Sequence, residues 1–211
     1  QAQVQGNTYI RVAPFEDIAG KNTREFRNEV NADNVMVALD YNTTLLADSQ
    51  ASLPQRAVAL CWVLHLIGDI HQPLHTGSLY SANRFSTGDR GGNGIETDGR
   101  NLHASWDSAV SSDGVKTNFE TLLRQHSTTL ERMSRQDNGD WSLWMQESRA
   151  LLLNTVYTID MKSAIAGSDD SPDKLRKFNL SDDYVETMKY HSGLRLALAG
   201  RRLASWFEAK L

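Results

Sequence analysis

The stretch WVLHLIGDIHQPLHTG, residues 62–77, decides how this chain is interpreted. Its first half is apolar enough for a buried helix, yet it carries His65 and Asp69, and His75 follows shortly after. His65 and Asp69 are four residues apart, so both side chains leave the same face of a helix. Since a carboxylate without a partner is costly in apolar surroundings, we expect a positive charge beside Asp69.

A second stretch, NLHASWD at residues 101–107, repeats this spacing with His103 and Asp107. A single such pair is typical of a hydrogen-bonded couple on a helix surface. Two pairs favour a metal site, because imidazole and carboxylate are the usual ligands of catalytic zinc. His71 lies on a different face of the helix from Asp69, and we interpret it as a residue that either supports the metal ligands or packs. His126 and His191 lack an acidic partner at useful spacing and are interpreted as ordinary helix histidines.

Length and composition suit a globular chain with one sizeable core, at 211 residues and 40% hydrophobic residues. No apolar run approaches the roughly eighteen residues of a membrane span, so we expect no membrane contact. The net charge of −4 argues against broad electrostatic binding to a polyanion, although bound metal ions can reverse the charge locally. Cys61 lies in an apolar run and is predicted to be a packed core thiol.

Hydrophobic residues at helical spacing dominate the pattern. They predict a helix that follows the Ser52 cap and reaches Ile70, and because this helix is apolar almost all round, we expect it in the middle of the domain. The turn-rich residues 86–100 allow one short hairpin around Ile95. Further helices are predicted over residues 33–48, 119–133 and 141–159, and from a Ser181 cap to the end of the chain.

We therefore predict an all-α fold: a mainly helical single domain over residues 1–211 with at most one short β-hairpin. The motifs HLIGDIHQPLH, GGN and NLHASWD, in that order, resemble the zinc-dependent single-strand nucleases, the type I nuclease/3′-nucleotidase family. That family shares its fold and metal cluster with bacterial zinc phospholipase C. The final segment, YHSGLRLALAGRRLASWFEAKL, is also similar to the last helix of this family.

The resemblance implies roles for individual residues. His75, His103 and Asp107 would form a complete ligand set for one zinc. His65 would bind a second zinc, and Asp69 would bridge it to a third and act as the catalytic carboxylate. The RGGN segment would lie beside the cluster, with Asn93 as a substrate contact; a plain surface turn is an equally good interpretation of that segment.

The resemblance also implies an activity. Such enzymes hydrolyse single-stranded DNA or RNA to 5′-phosphorylated products and remove the phosphate of 3′-nucleotides, using a metal cluster for phosphoryl hydrolysis. It implies nucleic acid or nucleotides as the substrate, up to three zinc ions, no membrane partner, and a secreted or periplasmic location. The residues leave the choice between DNA, RNA and mononucleotide open.

One departure from the pattern concerns the start of the chain. Family members open with a segment that supplies further zinc ligands, and this sequence begins at Gln1 without its motifs; Thr8 stands where the family has a histidine. We expect one complete zinc site in this chain alone. A separate N-terminal segment or chain is expected to supply the ligands of the others.

Two alternatives stay open. A phospholipase C-like phosphoesterase would use the same cluster, although no aromatic-rich interfacial stretch supports lipid binding. A non-catalytic metal-binding relative would keep the ligands without turnover. The connection from GGN to NLHASWD favours the nuclease.

Overall fold

The computed structural model describes residues 2–5, 8–11, 24–26, 29–31, 34–110, 115–134 and 139–210. The predicted all-α class is confirmed, because helices form most of these residues. Among the described residues, no helix combines the length and the hydropathy that crossing a membrane requires. Among the residues that the structure describes, five short strands also pair in two small antiparallel sheets beside the helices.

The strands are three or four residues long and lie mainly near the start of the chain: β1 (Ala2–Gln5), β2 (Thr8–Arg11), β3 (Arg24–Phe26), β4 (Glu29–Asn31) and β5 (Ser78–Tyr80). β2 is the central strand of a sheet with β1 and β5, and β3 pairs with β4. Around Ile95 the structure has two isolated bridges, an antiparallel one between Glu96 and Asn101 and a parallel one between Thr97 and Phe178. Such short strands carry little hydrophobic periodicity, which explains why the pattern did not predict them.

The helices of the first half carry the site. They are α1 (Val35–Ala47), α2 (Leu53–His71) and α3 (Leu102–Asp107). Asn34 caps α1 by accepting hydrogen bonds from the backbone of Met36 and Val37. α2 begins after Ser52, as predicted, and the side chain of Gln55 accepts a hydrogen bond from the Ser52 backbone. Proline after α2 cannot donate a backbone hydrogen bond, and a 3₁₀ turn follows at Pro73–His75.

The second half comprises α4 (Val115–Gln125), α5 (Ser127–Ser134), α6 (Trp141–Leu151), a π-helical turn (Leu152–Val156), α7 (Ile159–Gly167) and α8 (Asp182–Lys210). Asp140 caps α6 and Ser181 caps α8, as predicted. The helix predicted over 119–133 is instead divided at His126 between α4 and α5. Hydrophobic spacing continues across this break, so the pattern alone does not reveal it.

Two hydrophobic clusters meet at the site. One packs α1, α2, α6 and α8 together through residues such as Leu39, Ile67, Trp144 and Trp206. The other surrounds the turn and α3 with Leu74, Leu79, Ile95, Leu102, Trp106 and Tyr157. The end of α2 belongs to the first cluster and the 3₁₀ turn to the second, so the segment between them is held from both sides.

The prediction of a central α2 is wrong for one face of the helix. Val58 is 59% exposed and Trp62 is 50% exposed, whereas Val63 and Ile67 on the other side are buried. Cys61 is exposed as well, so its prediction as a packed core thiol is also wrong. An apolar sequence shows that a face can be buried, but only the packing of the other elements shows whether it is covered.

Candidate metal centre

The first His–Asp pair lies on the exposed side of α2. Helical spacing places His65 Nε2 3.2 Å from Asp69 Oδ2. The His65 side chain is 62% exposed and that of Asp69 is 28% exposed. The pair therefore offers one imidazole and one carboxylate to a metal ion that approaches from solvent.

The turn after α2 returns a second histidine to this carboxylate. Because the chain reverses in the 3₁₀ turn at Pro73–His75, His75 Nδ1 comes to 3.4 Å from Asp69 Oδ1. Each oxygen of Asp69 thus faces a different imidazole. Asp69 therefore lies between the two halves of the site.

The second His–Asp pair comes from α3. Asn101 caps this short helix by accepting a hydrogen bond from Ala104 N at 2.8 Å. His103 Nε2 then lies 3.4 Å from Asp107 Oδ2, and His75 Nε2 lies 4.0 Å from Asp107 Oδ1. The rings of His75 and His103 stack with centroids 4.9 Å apart. Three potential ligands from two separate segments therefore converge.

The glycine-rich loop orients one of these imidazoles. His103 Nδ1 donates a hydrogen bond to Gly91 O at 2.8 Å. Since a carbonyl can only accept, the proton resides on Nδ1 and the Nε2 lone pair faces Asp107. Gly91 has a left-handed φ of 60°, and a Cβ there would lie 2.4 Å from Leu74 O, so the loop requires glycine at this position.

A buried carboxylate holds the same loop from behind. Asp89 is fully buried and accepts hydrogen bonds from Leu79 N at 3.0 Å and from Tyr157 Oη at 2.8 Å. Burial raises the pKa of Asp89, and burial followed by the charge of Asp89 raises the pKa of Tyr157 well above its ordinary value. Our sequence reasoning missed both residues; an aspartate directly before RGGN is the signal that was available.

A network of charged groups anchors the end of α2. Arg195 Nε donates to the backbone carbonyl of His71 at 3.1 Å, and Arg202 Nη1 lies 2.9 Å from His71 Nε2. Glu147 pairs with both arginines, whose side chains are almost fully buried. Burial and then the charges of Arg195 and Arg202 lower the pKa of His71 well below its ordinary value. His71 is therefore a packing residue, as predicted.

The charge of Glu147 is maintained by the same contacts. Burial alone would raise the pKa of Glu147, but the hydrogen bonds and charges of Arg202 and Arg195 lower it overall. Removing one partner from such a buried group leaves the others uncompensated, so the network holds α8 against α2 and α6. Sequence reasoning missed the network; two arginines seven residues apart, and so on one face of α8, were its signal.

The structure places all five predicted ligands in one region: His65, Asp69, His75, His103 and Asp107. Asn93 lies on the neighbouring loop, where its amide donates to Arg90 O and its oxygen accepts from Asn101. A cavity of about 470 Å³ adjoins the site, with Leu196 and Ala199 of α8 among its lining residues.

The donor set fits a divalent metal ion. His75, His103 and Asp107 each offer one ligand atom, and these atoms lie within 4.8 Å of one another. Zinc bonds of about 2.0–2.2 Å in tetrahedral geometry separate neighbouring ligand atoms by roughly 3.4 Å. The ligand atoms, which lie at most 4.8 Å apart, therefore need only side-chain movements of about 1 Å to surround one ion.

Comparison with known proteins places this arrangement in a family. The family model described as S1/P1 Nuclease matches residues 9–211. Endonuclease 2 of Arabidopsis thaliana is 42% identical over 177 residues, which cover 79% of this chain and 55% of that protein. Endonuclease 4 of the same plant is 31% identical over 159 residues, covering 70% and 48%.

Nuclease S1 of Aspergillus oryzae is 28% identical over 182 residues, which cover 80% of this chain and 59% of that protein. The chain thus spans about half the length of the curated relatives it matches.

The family match extends far beyond the histidine motifs. It begins within β2 and continues through α8, so it includes the five candidate ligands, the glycine-rich loop and the buried arginines. Similarity confined to a few ligands could arise by convergence, whereas this match includes the scaffold that positions them. The chain belongs to the S1/P1 nuclease family.

Proposed function

We propose that the protein is a zinc-dependent phosphodiesterase that hydrolyses single-stranded nucleic acid to 5′-phosphorylated products and also acts as a 3′-nucleotidase. The observation that carries this proposal is the convergence of His75, His103 and Asp107 in a chain of this family. The relatives' names, nuclease and endonuclease, support a nucleic acid as substrate.

Zinc is the proposed metal because the donors are two imidazoles and one carboxylate. Three protein ligands of these types are usual for catalytic zinc. When bound, zinc supplies Lewis-acid stabilisation of phosphoryl oxygens and lowers the pKa of water. The chain's own contribution is orientation. The Gly91 carbonyl keeps the proton of His103 on Nδ1, so that Nε2 is available as a ligand atom.

Asp69 is proposed as the catalytic carboxylate and as the link between metal positions. Its two oxygens lie 3.2 Å from His65 Nε2 and 3.4 Å from His75 Nδ1, so it can serve ions on both sides. Asp69 would help to hold zinc on either side of it, and zinc there would supply charge stabilisation to a phosphoryl group.

Further zinc positions require ligands from elsewhere in the natural protein. Among the described residues, the His65–Asp69 pair offers two donors to such a position, one fewer than catalytic zinc usually takes. We propose that a segment or chain outside these 211 residues supplies the rest. The whole protein would then hold up to three zinc ions.

The cavity beside the centre is the proposed binding place for a nucleotide. Its lining combines polar donors such as Asp69 with apolar side chains such as Val110 and Leu196. An unstacked base can pack its face on apolar side chains, whereas in a duplex the face of each base is covered by its neighbours. Asn93 is a proposed substrate contact at the loop edge, next to the carbonyl that orients His103.

Hydrolysis assays test the activity. With zinc, the complete natural protein should cleave single-stranded DNA and leave phosphatidylcholine intact. Asp107→Asn should abolish cleavage, whereas Asp183→Asn, an exposed aspartate at the start of α8, should not. Preferential cleavage of phosphatidylcholine would instead identify a phospholipase-like enzyme. Zinc binding without turnover of either substrate would identify a non-catalytic relative.

A secreted or periplasmic location is also proposed, because the family resemblance implies it. Fractionation of the source cells tests it directly. The protein should appear in the medium or the periplasmic fraction, and its recovery with cytoplasmic marker enzymes would contradict the proposal.

A further inference from the structure

One side chain connects all three segments that carry the candidate ligands. Gln72 ends α2 just after Asp69 and begins the turn that carries His75. Its Nε2 donates a hydrogen bond across the site to Asp107 Oδ1 at 2.9 Å. Its Oε1 accepts a hydrogen bond from the backbone N–H of Leu74. Both the NH₂ group and the oxygen of the Gln72 amide therefore make hydrogen bonds.

These contacts determine which way the amide points. Because Leu74 N–H can only donate, Gln72 must present its oxygen to Leu74 and its NH₂ group to Asp107. A carboxylate accepts this hydrogen bond with one oxygen. The other oxygen, Asp107 Oδ2, then faces His103 Nε2 at 3.4 Å. The amide thus holds the carboxylate in one orientation, in which Oδ2 faces His103 and Oδ1 lies 4.0 Å from His75 Nε2.

Asp107 needs such a contact because its side chain is 48% exposed. An exposed carboxylate at the end of a short helix rotates freely unless a hydrogen bond holds it. Among the described residues, the Asp107 side chain makes polar contacts with Gln72 and with the two histidines that would share its metal ion. The two histidines would bind the same ion as Asp107 and so cannot orient Asp107 for it. The contact that orients Asp107 is therefore the hydrogen bond from Gln72.

We propose that Gln72 is a positioning residue of the metal centre: it holds the Asp107 carboxylate in the orientation that a metal ion needs and does not itself bind the ion. The proposal rests on the zinc centre of the proposed function. Partners that hold metal ligands in place typically change metal affinity by about 10–100-fold when they are removed.

Two substitutions separate this role from a merely structural one. Gln72→Asn keeps an acceptor for Leu74 N–H, since asparagine caps helical turns well, but its shorter side chain does not reach Asp107. Gln72→Leu removes both contacts. Gln146→Leu, an exposed glutamine on α6, is the matched control.

The experiment measures Zn²⁺ affinity of the 211-residue chain by competition with a chromophoric chelator. It also records the visible absorption of the Co²⁺-substituted protein and the melting temperature of the metal-free protein. We expect Gln72→Asn to weaken Zn²⁺ binding by about 10–100-fold and to alter the Co²⁺ spectrum, with an unchanged metal-free melting temperature. Gln72→Leu should weaken binding similarly and also lower that temperature, and Gln146→Leu should change neither property.

Wild-type Zn²⁺ affinity and Co²⁺ spectrum in Gln72→Asn would overturn the proposal while leaving the zinc centre intact. A lower metal-free melting temperature in Gln72→Asn would overturn it too, because Gln72 would then support the fold. If the wild-type chain bound no Zn²⁺ at all, the zinc centre of the proposed function would itself be rejected. Should Gln72→Leu fail to fold, Gln72→Asn still decides the result.

Discussion

The His65–Asp69 pair and the group of His75, His103 and Asp107 use the same side-chain chemistry but are built differently. The pair lies on one helix, and His65 is 62% exposed. The group comes from the 3₁₀ turn and α3, and its donors also contact a loop carbonyl and the Gln72 amide. The helix alone produces the pair, whereas the group requires the fold.

This difference concerns preorganisation. Donors that are oriented before an ion arrives lose less conformational freedom on binding. The group has its imidazole tautomer and its carboxylate orientation determined by neighbours. In the pair, His65 is mostly exposed and faces Asp69, and Asp69 also faces His75. We therefore expect the group to hold its ion much more tightly than the pair does.

The largest expected effect comes from breaking the group. His103→Ala and Asp107→Asn should each lower hydrolysis of single-stranded DNA by the complete protein by more than about 100-fold, the upper limit for loss of a partner that only orients a ligand. Circular dichroism should remain helical. His191→Ala on α8 is the control. Hydrolysis at the wild-type rate by both mutants at limiting zinc would refute the ligand assignment.

Removal of zinc should have the next largest effect, on the free energy of unfolding. A ligand present at a hundredfold excess over its Kd stabilises the native state by about 2.7 kcal/mol. Treatment with EDTA should therefore lower the melting temperature, and added zinc should restore it. EDTA should hardly change the melting temperature of His103→Ala. An unchanged melting curve of the wild type would instead favour hydrogen-bonded His–Asp pairs without a metal ion.

A smaller effect is expected at His126, whose pH dependence must be separated from that of the centre. Burial and then the charge of His191 lower the pKa of His126 below 6.5. Below about pH 6.5, His126 is therefore protonated more readily in the unfolded chain than in the folded chain. The free energy of unfolding consequently falls as the pH decreases below about 6.5.

Replacing this histidine should remove that part of the pH dependence. Both ring nitrogens of His126 are buried without a hydrogen-bond partner in the described part of the chain. His126→Leu should raise the free energy of unfolding by about 1 kcal/mol at pH 6 in metal-free protein. The measurement is urea unfolding at pH 6 and pH 8. A variant that is less stable than the wild type at both pH values would show that His126 contributes mainly by packing.

The smallest effect is expected for the pair. His65→Ala should change the affinity of the 211-residue chain for its first zinc by less than about threefold, because the group does not use His65 and independent sites behave additively. Metal analysis after dialysis should find one tightly bound zinc per chain in both proteins. Three tightly bound zinc ions without any partner would contradict the proposed source of the remaining ligands.

Much of the site was predictable because its main residues are neighbours along helices. The spacings of His65 with Asp69 and of His103 with Asp107 predicted two pairs, and both are present. The caps at Asp140 and Ser181 were predictable for the same reason, since they depend on residues within one turn. The RGGN loop lies beside His103, where the Gly91 carbonyl contacts the imidazole.

The residues that hold the site in place were less predictable. Gln72 donates a hydrogen bond to Asp107, 35 residues further along the chain, and Tyr157 donates one to Asp89, 68 residues earlier. Contacts over such distances leave no periodic pattern in the sequence. The exposure of Cys61 was mispredicted for a related reason, because an apolar run indicates hydrophobicity and does not show what packs against it.

By itself, the sequence determined the helical class and the two His–Asp pairs, because both follow from the 3.6-residue period of the helix. Only the tertiary structure decided that His75 returns to Asp69 and that His75, His103 and Asp107 converge. It also decided that one face of α2 is exposed beside the site. The physical reason is that convergence depends on where a turn reverses the chain and on how two hydrophobic clusters pack around it, and both are properties of the whole fold.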